Sequence, residues 1–126
     1  MLEIQKAIID KLEASLAVCV FGYVPENESF PYVVVDYPES DNNDTDTEDG
    51  FDSNVQIATY SRYRGTKEAA DIAKKIYDTL HRQPMADTDS YGISTIHQNF
   101  GNIFTDEGGV TRVSVQRFKV FFEPLP

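Results

Sequence analysis

Apolar side chains return every fourth position at the start of the chain. Ile4, Ile8, Leu12 and Leu16, with Ile9 beside them, place a stripe along one face of a helix from Leu2 to about Leu16, and Glu3, Lys6, Asp10, Lys11 and Glu13 occupy the other face. Val18, Cys19, Val20, Phe21 and Val24 follow as a compact apolar connector around Gly22, expected to cover an end of the core. Pro25 to Pro31 reads as a loop, because proline fixes its own φ and restricts the residue before it. Tyr32 to Tyr37 is β-favouring and nearly all apolar up to Asp36, as in a strand covered on both faces. From Phe51 to Tyr60 the period is two: Phe51, Val55 and Ile57 share one phase, and Asp52, Asn54 and Gln56 share the other.

A second helix is predicted from Thr66 to Arg82, with Ala69, Ala73, Ile76 and Leu80 on one face and Ile72 and Tyr77 widening it. Thr66 stands where a cap belongs, Glu68 lies near the positive end, and His81 and Arg82 lie near the negative end before Pro84. Two more strands, at about Gly92 to Phe104 and Val110 to Phe122, join through Asp106-Glu107-Gly108-Gly109. Ile93 and Ile96 break a strict period of two, and Val113 and Val115 are out of phase with Phe118, Val120 and Phe122, so bulges or partly covered outer faces are expected. The order is α-β-β-α-β-β. It implies an α+β fold over residues 1–126 as a single domain: one mixed or antiparallel β-sheet packed by two helices, and not a Rossmann arrangement.

Charge narrows the function. Eleven basic against 21 acidic residues give a net charge of −10, the opposite of what a phosphate-backbone binder needs. The imbalance is local: no Lys or Arg occurs from Leu12 to Ser61, a stretch holding 11 acidic side chains. Cys19 is the only cysteine, so an intrachain disulfide and a thiolate metal cluster are excluded, and its apolar neighbours point to a small buried core residue. No apolar run approaches the roughly 18 residues that span a bilayer, so neither anchor nor membrane partner is expected. His81 and His97 lack metal-binding spacing and read as helix-end and strand residues. No nucleotide fingerprint, phosphate cradle or nucleophile constellation is present, so neither an enzyme nor an obligate cofactor is expected.

The richest chemical cluster is the polar stretch from Glu39 to Gly50, which carries Glu39, Asp41, Asp44, Asp46, Glu48 and Asp49 and no base. Such carboxylates can collect a hard cation, but an EF-hand places Gly at its sixth position and Glu at its twelfth. A frame begun at Asp41 puts Asp46 and Asp52 there, and one begun at Asp44 puts Asp49 and Val55. A solvated anionic loop is the better reading.

Taken together, the amino-terminal helix running into Val18-Cys19-Val20-Phe21-Gly22-Tyr23-Val24, the Phe30-Pro31-Tyr32-Val33-Val34 strand opening, Val55-Gln56-Ile57 followed by an Ala-rich helix ending at Leu80, and the closing Arg117-Phe118-Lys119-Val120 resemble the tail-terminator or tail-completion proteins of long-tailed phages and prophages. The resemblance covers almost the whole chain. It implies a structural subunit made in the host bacterial cytoplasm and located in the virion, at the junction of head and tail. There a homo-hexameric ring would cap the tail tube, and its partners would be the tail-tube protein and a head-completion or connector protein. DNA would pass without specific binding. The acidic loop would then line the channel or dock onto a basic partner. The alternative is a monomeric adaptor or small protein-binding module acting through sheet edges or that loop.

Overall fold

The computed structural model describes residues 2–40, 51–106 and 108–126. Helix α1 (Leu2–Ser15) forms where the stripe predicts it, and Ile4, Ile8 and Leu12 are fully buried. Three short extended pieces follow, β1 (Cys19–Phe21), β2 (Tyr32–Val35) and β3 (Glu39–Ser40). The chain continues through β4 (Phe51–Ser61), α2 (Lys67–Leu80), β5 (Tyr91–Thr105) and β6 (Arg112–Pro124). The strands make one sheet in the order β1-β2-β4-β6-β5, with β3 pairing β4 off this path. β1 and β2 are parallel and every other pair is antiparallel, so the sheet is mixed and the expected α+β class holds.

Both helices cover one face. Val33, Val35, Val55, Ile57, Phe118 and Val120 point to that side and close a core with Ile8, Leu12, Ile72, Ile76 and Leu80. Burial of each large apolar side chain here contributes about 1.5–3 kcal/mol. Polar contacts stitch the same layer. The Gln116 side-chain amide donates to the Ala73 carbonyl of α2 at 3.0 Å and to Gln98 Oε1 of β5 at 2.7 Å.

The apolar connector is more than a connector. Val20 pairs with Val33 and is buried, whereas Cys19, paired with Tyr32, is exposed at the sheet margin and is not the core residue its neighbours suggested. Alternation explains the difference, since successive strand residues face opposite sides. At α2, Thr66 takes the capping position without a side-chain capping bond, and its carbonyl accepts from the Ala70 amide at 2.9 Å. The helix stops at Leu80, two residues before the predicted end, because His81 is extended and Arg82 turns left-handed at φ 58°.

The hairpin bears out its irregular pattern. The β5–β6 register shifts between Ile93 and Thr95 and between Gln98 and Phe100. The first shift brings both Ile93 and Ile96 to the helix-covered side despite their odd separation. β6 runs against β4 without a break, so Val113 and Val115 fall on the opposite face from Phe118, Val120 and Phe122. A strand apolar in both phases is therefore apolar on both faces.

Candidate assembly surface

Among the described residues neither helix reaches the second face of the sheet, and register sorts its side chains into rows. Tyr32, Tyr60, Val113 and Phe104 form one row, and Val34, Ala58, Val115 and Asn102 form the next. The Tyr32 and Tyr60 rings stack at 5.1 Å, Phe21 meets Tyr32 edge-on at 6.1 Å, and Phe30 lies 5.2 Å from it. These rings shield one another and their neighbours, which leaves Val34, Ala58 and Val113 buried. At the hairpin shelter is incomplete: Phe100, Phe104 and Phe121 remain 43%, 46% and 37% exposed. Exposed aromatic rings beside polar groups are the composition of a protein-binding surface.

The polar half of this face is cross-linked side to side. Arg117 Nε donates to Gln56 Oε1 at 3.4 Å while its guanidinium lies 4.9 Å from the centre of the Phe100 ring, and Gln56 Nε2 donates to Asp36 Oδ2 at 3.4 Å. Lys119 pairs with Asp52 at 3.5 Å, and His97 stacks on Phe121. Asp36, Gln56, Phe100 and Arg117 line a cleft of about 680 Å³ together with Glu39. Partial burial, and then the neighbouring Glu39 charge, raise the Asp36 carboxyl above its ordinary value.

Of the predicted loop residues, Glu39 is exposed at the start of β3 and reaches this cleft. Asp41, Asp44, Asp46, Glu48 and Asp49 lie outside the described residues. No group of three or more His, Cys, Asp or Glu side chains suited to a metal ion occurs among the described residues. His81 sits at the end of α2, stacked on Tyr77 at 4.3 Å, and its Nδ1 accepts the Gln98 amide of β5 at 3.0 Å. Beside it the Arg82 amide donates to the Ile96 carbonyl at 2.7 Å. Together they cap one half of the outer edge of β5.

The other half of that edge is open. The Asp106 amide donates to the carbonyl of Thr111, the residue before β6, so alternation directs the amides of Gly101, Ile103 and Thr105 away from β6. Sequence reasoning located the hairpin but not the contrast between its two halves. A histidine at a helix end gives no sign of which strand it caps.

The fold recurs in solved structures. A chain in the virion of a native gene transfer agent particle superposes with a TM-score of 0.82 at 16% identity, covering 96% of this chain and 95% of that one. A second solved chain superposes with a TM-score of 0.58 at 12% identity, covering 99% and 92%. No curated protein matches in sequence. At such identities the two superpositions establish the fold alone, and it is the sequence pattern that settles kinship. Residues 6–123 match the model of the tail completion protein gp17 family, a family of non-catalytic structural phage proteins, so this chain belongs to the tail completion protein gp17 family.

Proposed function

We propose that this tail completion protein works as a ring of identical subunits, six in the assembled particle, which closes the tail tube and joins it to the head connector. The observation that carries the reading is the uncovered sheet face, where Phe100, Phe104 and Phe121 stand exposed on a hairpin of a structural tail protein. Such rings cost solvation in a lone subunit and repay it against a partner, at about 25 cal/mol per Å² of apolar surface covered. The sheet also has two unlike edges, β1 and β5. Unlike edges suit head-to-tail contacts, which close into rings.

A reconstruction of the assembled neck tests this directly. Six copies in one ring between tail tube and connector is the expected result, and a single copy bound to one partner would instead select the adaptor reading. The same map decides the acidic segment. Residues 39–50, with six carboxylates and no base, are proposed to line the passage and keep DNA from sticking by local repulsion, which screening limits to about 8 Å. Loops pointing outward would reject that role, and salt bridges to a basic partner would make the segment a docking element.

A further inference from the structure

We infer that successive subunits join sheet edge to sheet edge, the open half of β5 in one copy receiving β1 of the next. The inference rests on the ring reading and specifies which surfaces meet. Two independent observations carry it.

The first is a prepared edge. Between α2 and the open half of β5 runs a groove of about 430 Å³ lined by Ala70, Ala73, Tyr77, Gly101, Ile103 and Gln116. The small Ala70 and Ala73 leave room above the strand, and the Gly101 and Ile103 amides face away from β6. An incoming strand's carbonyls would accept from the outward Gly101 and Ile103 amides in the plane of the sheet. The contrast along β5 is informative: His81 and Arg82 block strand addition at Ile96 and Gln98, and no backbone partner among the described residues does so at Gly101, Ile103 or Thr105.

The second is direction. β1 runs parallel to β2, β2 antiparallel to β4, β4 to β6, and β6 to β5, so β1 and β5 point opposite ways. A second copy continued in the same orientation therefore meets β5 with an antiparallel β1. This contact is heterologous, as a ring requires, whereas β5 against β5 would stop at a dimer.

The chain's one cysteine makes the test direct, because Cys19 lies on β1, exposed, and in phase with the uncovered face. Asn102 and Phe104 on β5 share that face. Each is changed to cysteine in separate full-length proteins, Asn102→Cys and Phe104→Cys. Both are oxidised over a concentration series and run on non-reducing gels, with native mass spectrometry of the same samples. The expected result is a ladder of covalent oligomers ending in a closed ring for at least one variant, abolished by adding Cys19→Ser. A ring in the mass spectrum without any ladder overturns the edge pairing and leaves the ring reading intact. Absence of both at every concentration overturns both. Dimers that persist with Cys19→Ser place β5 against β5 and overturn the inference as well.

Discussion

Replacing His81 by Phe should unlock the capped half of β5 without unfolding the protein. Phenylalanine keeps a ring against Tyr77, which stacks on His81 at 4.3 Å, but removes the Nδ1 that accepts the Gln98 amide at 3.0 Å. Gln98 is half-buried, so its freed N–H finds water only in part. The cost should be that of a neutral hydrogen bond, ~0.5–1.5 kcal/mol, and not the full penalty of a sealed donor. The neighbouring bond from the Arg82 amide to the Ile96 carbonyl stays in place, which confines the change to one rung. Since about 1.4 kcal/mol is a factor of ten, exchange of the Gln98 amide should quicken roughly two- to twelvefold. Amide hydrogen exchange read by NMR measures it, with the Val55 and Val120 amides of the inner strands as internal references for global opening. Unchanged exchange at Gln98 in a folded His81→Phe protein would refute the cap. Equal acceleration at all three sites would show that the ring supports the whole fold instead.

Phe118→Ala removes the largest fully buried side chain, at the centre of the sheet against both helices, and should cost about 3–5 kcal/mol in urea unfolding. Arg82→Gly relieves a left-handed residue at φ 58° while keeping the amide that bonds Ile96, and should raise stability by ~0.5–1 kcal/mol, seen as a higher urea midpoint. Glu3 accepts from the Thr88 hydroxyl and from the Ser90 amide and hydroxyl, each at 2.9 Å, and these bonds hold its carboxyl below its ordinary 4.5. A lowered folded value makes this support complete above about pH 4.5 and lost as pH falls through the depressed value. The protection factor of the Ser90 amide, corrected for the intrinsic pH dependence of exchange, should therefore fall under acid in the native chain, and Glu3→Gln should flatten that dependence.

Local rules settled much of the molecule. Four-residue recurrence with Ile9 beside it fixed α1, because Ile4, Ile8, Ile9 and Leu12 share one side in a helix, whereas a strand would turn Ile9 to the opposite face. Alternation fixed β4, and the breaks in alternation at Ile93 and Ile96 announced a bulge, since a period of two tolerates no odd spacing without an extra residue. Composition likewise excluded an intrachain disulfide and argued against a phosphate binder, and both follow from counting alone.

Other features depend on what lies beside a residue, which sequence does not carry. Cys19–Phe21 is too short to show a period, and it is a strand only because Tyr32–Val34 offers it a parallel partner. That same pairing turned Cys19 outward. The edge position of β5 follows from the strand order β1-β2-β4-β6-β5, in which the last strand in sequence ends up inside and the strand before it outside. Strand order is a long-range outcome of how two helices can cover one face, so no local pattern reveals it. The capping of Gln98 by His81 and the open amides beyond it both follow from that order. Sequence by itself determined which residues are apolar, charged and periodic; tertiary structure alone decided which edge was left open, because an edge exists only once every other strand has found its neighbour.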